Sequence, residues 1–197
     1  MYKKILITGA AGFIGSHLAE KLFNTYKSSN FIFYDKITYA ANKVYIKKLL
    51  KKKTVKFIKA DLLNLELLEQ YLKNVDLAIN VAAESHVDNS FGNSLVFSKT
   101  NTLGTHFFLE ACRKRRVKKI IHVSTDEVYG ENLKKAFKEN QFLNPTNPYS
   151  ASKAGADMMV NAYKKSYKLN IVTVRANNIY GIRQYPEKLI SKSIYNF

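Results

Sequence analysis

A glycine-rich turn near the start of the chain constrains the fold more than any other feature. Residues 3–8 form an apolar run of the kind that makes a buried parallel strand. Gly9, Gly12 and Gly15 follow it, and a helical pattern of apolar residues begins directly after them. Glycines at this spacing permit a tight turn and let backbone amides approach a pyrophosphate, which the N-terminus of the following helix attracts. The order strand, turn, helix therefore predicts a dinucleotide-binding unit.

The rest of the chain alternates between strand-like and helix-like patterns. Further short apolar runs typical of strands lie at 31–34, 55–58, 75–81, 119–123 and 171–175. Helical patterns separate them, the longest at 94–115, and the sequence contains no internal repeat. This alternation predicts an α/β fold with a doubly wound parallel sheet of the Rossmann type. Such sheets bind their ligands across the carboxyl ends of the strands.

The ends of the predicted strands carry residues suited to a dinucleotide. Asp35 ends the second strand, where a carboxylate can bind the ribose hydroxyls of an adenosine and repel a 2′-phosphate, which favours NAD over NADP. The competing interpretation is an aspartate that only caps a loop, and Lys36 beside it weakens the exclusion of a phosphate. The third strand leads to Asp61, and the fourth opens into Ala82 and Ala83, whose small side chains would let a nicotinamide ribose lie close to the backbone.

Two pairs of side chains indicate acid–base chemistry. Tyr149 and Lys153 stand four residues apart on a predicted helix, so their side chains share one face. An ammonium close to a phenol favours the phenolate, so we expect a lowered Tyr149 pKa and a usable base near neutral pH. The alternative is chance, because this spacing also arises on exposed helices.

Asp126 and Glu127 follow a strand end, and two adjacent carboxylates offer the acid and the base that elimination of water needs. The alternative for that pair is an ordinary acidic loop.

The net charge of +17, from 32 Lys and Arg against 15 Asp and Glu, bears on the partners of the chain. A strongly basic protein can bind nucleic acid, and its affinity would then depend steeply on salt. The basic residues are scattered along the sequence, and no aromatic-interleaved RNA-binding motif accompanies them. We therefore expect a lysine-rich composition without a specific nucleic-acid partner.

Neither a membrane nor a metal ion is expected as a partner. No apolar stretch approaches the roughly 18 residues that a transmembrane helix needs. The single cysteine, Cys112, cannot form an internal disulfide, which favours a cytoplasmic location. The four histidines show no metal-ligand spacing with this cysteine.

Six segments, taken together, resemble the extended short-chain dehydrogenase/reductase family, and within it the nucleotide-sugar 4,6-dehydratases. These segments are Thr8–Ser16, Asp35–Tyr39, Ala82–Asp88, Ser124–Gly130, Tyr149–Lys153 and Tyr185–Ile190. The triplet Thr125-Asp126-Glu127 is the most discriminating, because sugar epimerases of the same family do not normally place an acid pair after that threonine. The resemblance implies NAD as the cofactor and a nucleotide-activated hexose, dTDP- or UDP-glucose, as the substrate.

The resemblance also implies a reaction in three steps and a role for each catalytic residue. The sugar is oxidised at C4, water is eliminated across C5 and C6, and hydride returns to C6 to give a 4-keto-6-deoxy sugar. Tyr149 takes the proton of the C4 hydroxyl, and Lys153 lowers the tyrosine pKa and holds the nicotinamide ribose. Thr125 hydrogen-bonds the substrate, Glu127 is the base at C5, and Asp126 is the acid that protonates the departing C6 hydroxyl.

The resemblance assigns further contacts residue by residue. The implied cofactor contacts are Gly9, Gly12, Phe13, Ile14, Gly15, Asp35, Lys36, Thr38, Asp61, Leu62, Ala82, Ala83, Thr100, Tyr149 and Lys153. The implied substrate contacts are Ser85, Thr125, Asn178, Glu187, Lys188 and Leu189. Asn89 stands where bacterial enzymes acting on dTDP-glucose tend to have arginine, so the choice between dTDP and UDP stays open.

The length of the chain shapes the expected domain organisation. Such enzymes are much longer than 197 residues, so we expect a Rossmann domain with the catalytic residues over 1–181 and only the start of a substrate-binding portion over 182–197, most of that portion being absent. An epimerase or reductase of the same family and a non-catalytic NAD-binding fragment are the alternatives. Pairing through helices near 94–115 and 149–167 is implied as well, which predicts a homodimer, with aggregation as the competing outcome.

Overall fold

The computed structural model describes residues 2–131 and 136–196, and within them six strands form one parallel sheet. The strands are β1 Lys4–Thr8, β2 Asn30–Asp35, β3 Val55–Lys59, β4 Leu77–Asn80, β5 Lys119–Thr125 and β6 Ile171–Ala176. Their order across the sheet is β3-β2-β1-β4-β5-β6. This arrangement confirms the predicted doubly wound α/β fold. The strand order reverses between β1 and β4, which is where sheets of this kind bind ligands.

Helices cover both faces of the sheet. The α-helices are α1 Phe13–Thr25, α2 Lys47–Leu50, α3 Leu65–Leu72, α4 Val87–Gly92, α5 Ser94–Phe97, α6 Gly104–Lys114, α7 Pro148–Ser166 and α8 Leu189–Tyr195. Short 3₁₀ turns precede α2 at Lys43–Ile46 and follow β5 at Asp126–Tyr129. In the described parts of the chain, no helix is both long enough and apolar enough to span a bilayer.

The first strand shows how the sheet is buried from both sides. Leu6 packs into the core cluster that includes Phe108 of α6, whereas Ile5 and Ile7 pack into the cluster that includes Ala19 of α1. All three strand residues are fully buried. Burial on both faces explains why this strand is a continuous apolar run rather than an alternation of apolar and polar residues.

Helix α7 begins at a capping box. The side chain of Asn147 accepts a hydrogen bond from the Ser150 amide at 2.8 Å, and the Ser150 hydroxyl accepts one from the Asn147 amide at 3.2 Å. Pro148 occupies the first turn, where its missing amide leaves no bond unmade. The cap fixes the start of α7, so Tyr149 lies in the first turn and Lys153 one turn later.

The last described helix, α8, lies within the stretch 182–197 that we expect to begin a substrate-binding portion. None of its residues is buried. The boundary near residue 181 stays a prediction.

Asp76 joins three parts of the chain at the amino edge of the sheet. Its Oδ2 accepts hydrogen bonds from the backbone amides of Lys3 at 2.8 Å and Lys4 at 3.1 Å, and its Oδ1 accepts one from the Lys118 ammonium at 2.7 Å. The hydrogen bond from Lys118 makes the largest contribution to lowering the pKa of Asp76 to about 2. The ionised carboxylate therefore stabilises the start of β1 and connects it to Lys118, the residue directly before β5.

We expect Asp76→Asn to reduce the free energy of unfolding at pH 7 by about 1–2 kcal/mol, because the amide loses the charge that strengthens these bonds. The folded pKa lies below the ordinary value of 3.8, so the carboxylate contributes fully above about pH 5 and its contribution is lost as the pH falls through about 2. Urea unfolding should therefore show the difference between parent and variant shrinking over that range.

Asp88→Asn is the matched control, because Asp88 is an exposed carboxylate beyond the opposite edge of the sheet. It should change the stability at pH 7 by no more than about 0.5 kcal/mol. A difference between the parent and Asp76→Asn that stayed constant down to pH 2 would contradict the assignment.

Candidate active site

A cleft lies along the carboxyl edge of the sheet, over the reversal point between β1 and β4. Its empty space, including the part open to solvent, is about 1520 Å³. The lining contains every residue predicted to contact the cofactor: Gly9, Gly12, Phe13, Ile14, Gly15, Asp35, Lys36, Thr38, Asp61, Leu62, Ala82, Ala83, Thr100, Tyr149 and Lys153.

Most of the predicted substrate residues line the same cleft. They are Ser85, Thr125, Asn178, Glu187 and Lys188. Leu189 differs, because it is 82% exposed and lies outside the lining. The roles of all these residues stay predictions, but the structure brings the two predicted sets together at one edge of the sheet.

The glycine turn permits two close approaches of backbone to backbone. Gly9 has a φ of +66°, and a Cβ there would lie 2.7 Å from the Ala82 nitrogen. A Cβ at Gly15 would lie 1.9 Å from the carbonyl oxygen of Gly9. At Gly12 the same oxygen is the only neighbour within 4 Å, at 3.4 Å. The fold therefore requires glycine at the first and last positions, whereas the middle one borders open space in the cleft.

Asp35 attaches the glycine turn to strand β2. Its Oδ2 accepts a hydrogen bond from the Ala11 amide and its Oδ1 accepts one from the Ile37 amide, both at 2.8 Å. Burial raises the pKa of Asp35, and the two amides oppose that rise. The ammonium of Lys36 lies 2.7 Å from a carboxylate oxygen of Asp61. The Lys36 ammonium is therefore paired with Asp61 rather than with Asp35.

Tyr149 and Lys153 are both buried at the wall of the cleft. Burial, and then the charge of Glu127, raises the pKa of Tyr149 to about 12, and the hydroxyl of Thr125 opposes this rise only in part. The expectation of a lowered Tyr149 pKa is therefore wrong for this structure. Lys153 directs its Nζ to the Val123 carbonyl at 2.7 Å, and burial lowers its own pKa to about 8.

The acid pair lies in the 3₁₀ turn after β5. The hydroxyl of Thr125 accepts a hydrogen bond from the Glu127 amide and donates one to the Asp126 carboxylate, each at 3.2 Å. Glu127 lines the cleft, and the side-chain amide of Asn147 donates to its Oε2 at 3.5 Å. Asp126, which is also described by the structure, does not line the cleft. The two adjacent carboxylates are thus placed differently, one in the cleft and one beside Thr125.

A π-helical segment, Ser98–Leu103, interrupts the long predicted helix between α5 and α6. It packs on α7 through polar contacts: Asn101 donates to the Ser152 hydroxyl at 2.9 Å, and the Thr102 hydroxyl donates to the Ser152 carbonyl at 2.7 Å. Thr100 of the same segment lines the cleft. A π turn of this kind often occurs at functional sites, and here it delivers a cleft residue from the middle of a helix.

The segment 177–188, which we call the crossing segment, follows β6 and contacts both sides of the cleft. On one side, Arg183 pairs with Glu20 of α1 at 2.7 Å. On the other side, the Lys188 ammonium donates to the Ser85 carbonyl at 2.9 Å, in the loop after β4. Between these contacts the crossing segment lines the cleft.

Glu187 of the crossing segment also connects to the loop after β2. Its Oε2 accepts a hydrogen bond from the Tyr39 hydroxyl at 2.8 Å, and its carbonyl oxygen lies 2.9 Å from Nε2 of His86. Asn89 donates its side-chain amide to the Tyr39 hydroxyl at 3.3 Å. Asn89 therefore reaches the predicted substrate residues through Tyr39.

Several cleft residues were missed by sequence reasoning, namely Tyr34, Glu84, Ser124, Asn177, Gln184 and Tyr185. Glu84 is the one acidic residue among these. Burial raises the pKa of its carboxyl, Lys36 opposes this and Glu187 adds to it. Its position within the motif Ala82–Asp88 was a usable signal, but the residue type suggested no role. Among the described residues, no group of three or more His, Cys, Asp or Glu side chains could hold a metal ion.

The fold and the cleft define the class of protein. A parallel sheet in this order, a glycine turn at the first crossover and a Tyr149–Lys153 pair in the cleft belong to a Rossmann-type domain of the extended short-chain dehydrogenase/reductase class. The family model described as GDP-mannose 4,6 dehydratase matches residues 6–197. The chain belongs to this family, and the resemblance to nucleotide-sugar 4,6-dehydratases is confirmed.

Individual relatives match nearly the whole chain. A dTDP-D-glucose 4,6-dehydratase of Dictyostelium discoideum is 49% identical over 98% of this chain and 47% of that protein. A trifunctional UDP-glucose 4,6-dehydratase, epimerase and reductase of Arabidopsis thaliana is 48% identical over 98% of this chain and 30% of its own length. The crystal structure of a dTDP-glucose 4,6-dehydratase from Streptomyces venezuelae, solved with NAD bound, gives a TM-score of 0.95 at 38% identity, over 98% of this chain and 61% of that one. The chain thus spans less than half of these two curated relatives and 61% of the crystallised chain.

We expect Gly15→Ala to lower the free energy of unfolding by about 3 kcal/mol, because its Cβ would lie 1.9 Å from a backbone oxygen that cannot move without distorting the turn. The matched variant Gly12→Ala, whose nearest neighbour is 3.4 Å away, should stay within about 1 kcal/mol of the parent. Thermal and urea unfolding followed by circular dichroism measure both. Equal losses would contradict the close approach of α1 to β1.

Proposed function

We propose that the chain carries the NAD-binding and catalytic part of a nucleotide-hexose 4,6-dehydratase. The substrate is dTDP- or UDP-glucose, and the product is its 4-keto-6-deoxy derivative. One observation carries the proposal: the glycine turn, the Tyr149–Lys153 pair and Glu127 line a single cleft. Oxidation followed by elimination of water needs these three functions side by side. In this proposal residues 1–181 bind NAD, and residues 182–197 begin the substrate-binding portion.

The cleft residues suit a dinucleotide. The open space beside Gly12 adjoins the N-terminus of α1, whose first-turn amides can bind a pyrophosphate. Asp35 uses both carboxylate oxygens for backbone amides, and each oxygen keeps a further lone pair for a ribose hydroxyl. When bound, NAD accepts a hydride from the sugar and later returns it.

Tyr149 is the proposed base for the C4 hydroxyl proton. With a pKa of about 12, its phenolate is scarce at pH 7, so neighbouring donors and cations decide its reactivity. The Thr125 hydroxyl bonds the phenol and lowers its pKa, and the Lys188 ammonium lies 5.9 Å from the centre of its ring. Lys153, with a pKa of about 8, is charged at neutral pH, which is the form that its proposed role beside Tyr149 requires.

In this proposal Glu127 is the base and Asp126 is the acid in the elimination of water. A ketone at C4 acidifies the C5 proton, because the resulting carbanion delocalises into an enolate. Glu127, which faces the cleft, takes this proton. Asp126, in its protonated form, donates a proton to the departing C6 hydroxyl, which leaves as water, and to do so its carboxyl group turns away from the Thr125 hydroxyl, 3.2 Å away. Ser85, Asn178, Glu187, Lys188 and Leu189 are the proposed contacts to the rest of the substrate.

Dehydration is tested with the purified chain, NAD and either dTDP-glucose or UDP-glucose, and is read from the absorbance of the 4-keto product in alkali. We expect the double variant Asp126→Asn, Glu127→Gln to lose at least about 100-fold in rate, because the elimination loses both its acid and its base. Its affinity for NAD, measured by calorimetry, should match that of the parent. Glu66→Gln, at an exposed position on α3, is the control and should keep full activity.

Two other outcomes would redirect the proposal. A double variant that still converts the nucleotide sugar would favour an epimerase or reductase of the same fold, which does not need the acid pair. A parent chain that binds NAD and yields no product from either substrate would favour a non-catalytic NAD-binding module.

We also propose that the chain pairs with a second copy through the layer formed by α5, the π segment, α6 and α7. Leu95 of α5 and Met158 of α7 are 71% and 61% exposed. Large apolar side chains exposed on neighbouring helices mark an association surface.

Met158→Asp should shift the chain towards the monomer in sedimentation velocity, because a carboxylate is poorly tolerated in an apolar interface. The control is Val44→Asp, at a position that is 67% exposed on the 3₁₀ turn before α2, on the other face of the sheet. An unchanged sedimentation profile in Met158→Asp would exclude this surface.

A further inference from the structure

A buried charged cluster lies next to the Tyr149–Lys153 pair, and the proposed mechanism gives it no role. Asp157 follows Lys153 by four residues on α7, so the two side chains share one face of the helix. Asp157 is 2% exposed. Its Oδ2 accepts a hydrogen bond from Nε of Arg175 at 2.8 Å, and its Oδ1 lies 3.5 Å from Nε2 of His122. A carboxylate this deeply buried is retained only with such partners.

The cluster contacts the strand that holds Lys153 in place. His122 directly precedes Val123 in β5, and the Val123 carbonyl is the acceptor for Nζ of Lys153. Lys153 is 4% exposed. Burial lowers its pKa to about 8, and the charge of Asp157 opposes this fall. The carboxylate of Asp157 therefore helps the buried amine to stay protonated.

The cluster also reaches the turn that carries the acid pair. Arg175, besides bonding Asp157, donates a hydrogen bond from Nη1 to the Tyr129 hydroxyl. Tyr129 is the last residue of the 3₁₀ turn that begins at Asp126. One carboxylate on α7 is thus connected to both parts of the proposed mechanism.

Other charged or titratable groups surround the Tyr149–Lys153 pair and the Asp157 cluster, and they come from five elements. They are His122 of β5, Asp126 and Glu127 of the following turn, Tyr149 of α7, Arg175 of β6 and Lys188 of the crossing segment. Burial lowers the pKa of His122, so its ring is neutral at pH 7. Glu127 acts on the pKa of Tyr149, whereas Asp157 acts on that of Lys153.

We propose that Asp157 is a positioning residue that holds Lys153 in its charged form beside Tyr149 and, through Arg175, connects it to the turn carrying Glu127. The inference rests on the proposed function in that it assigns Lys153 a catalytic task. Without the carboxylate, the cations of Lys153 and Arg175 would be left without an anion between them in a medium of low dielectric. Lys153 would then release its proton at a lower pH.

The proposal is tested by titrating Lys153 directly, by NMR of isotopically labelled lysine side-chain nitrogens, with Lys153→Met used to assign the signal. The parent should titrate with a midpoint near pH 8. Asp157→Asn should lower that midpoint by about one pH unit, and Asp157→Glu, which keeps the charge, should leave it near the parent value. Arg175→Gln should raise it, because Asp157 loses the cation that bonds it and its negative charge then acts more strongly on Lys153.

Asp157→Asn and Arg175→Gln should shift the Lys153 midpoint in opposite directions. A purely structural role of Asp157 predicts no particular direction for either shift, so opposite shifts support electrostatic positioning. An unchanged midpoint in Asp157→Asn overturns the inference. Circular dichroism checks that each variant is folded. If Asp157→Asn does not fold, Arg175→Gln decides: an upward shift supports the inference and an unchanged midpoint overturns it.

Dehydration rates give a second readout. A midpoint lowered by about one pH unit from pH 8 leaves Lys153 almost fully charged at pH 6 and reduces its charged fraction about fivefold at pH 8, so Asp157→Asn should lose activity mainly at the higher pH. An equal loss at both pH values overturns the inference in favour of a structural role. If the parent gives no product but the midpoints shift as expected, the proposed function fails and the electrostatic role of Asp157 stands.

Discussion

The close approach of helix α1 to the end of strand β1 is the constraint on which the rest of the cleft depends. Because no side chain fits between Gly15 and the Gly9 carbonyl, α1 begins directly at the carboxyl edge of the sheet, and its free amides face the same space as the strand ends. Asp35 then holds the turn from the neighbouring strand through the Ala11 amide. The packing of α1 against the end of β1 forms one side of the cleft. The small residues after β4 and the first turn of α7 form the rest.

Burial decides the chemistry available at this edge. It moves the pKa values of Tyr149 and Lys153 in the directions that favour the uncharged forms, upwards for the phenol and downwards for the ammonium. Burial alone therefore does not make Tyr149 a usable base or keep Lys153 charged. Its protonation states depend on the groups that surround it, among them the Thr125 hydroxyl and the Asp157 carboxylate, which belong to different elements of the fold.

The sheet and most of the cleft lining could be predicted from the sequence. The strand ends, the glycine turn and the start of α7 each have a recognisable sequence pattern, and the residues of those patterns also border the cleft. The rest depends on geometry that such patterns do not encode. A π turn changes the register of a helix without changing its composition, so Ser98–Leu103 was predicted as ordinary helix. Neighbouring residues of a tight turn point in different directions, so Asp126 and Glu127 could not be told apart. The spacing of Tyr149 and Lys153 carries no information on depth of burial, which is why the predicted direction of the tyrosine pKa was wrong.

The crossing segment bears on how quickly a bound molecule is exchanged. Because it is attached to α1 through Arg183 and to the loop after β4 through Lys188, a molecule bound in the part of the cleft that it lines would leave more slowly while both attachments hold. Opening of the protein would then contribute to the residence time, besides the ligand's own contacts. An enzyme that reduces and reoxidises its cofactor within one turnover is not slowed by this arrangement, whereas a dehydrogenase that must discharge reduced cofactor after every cycle would be.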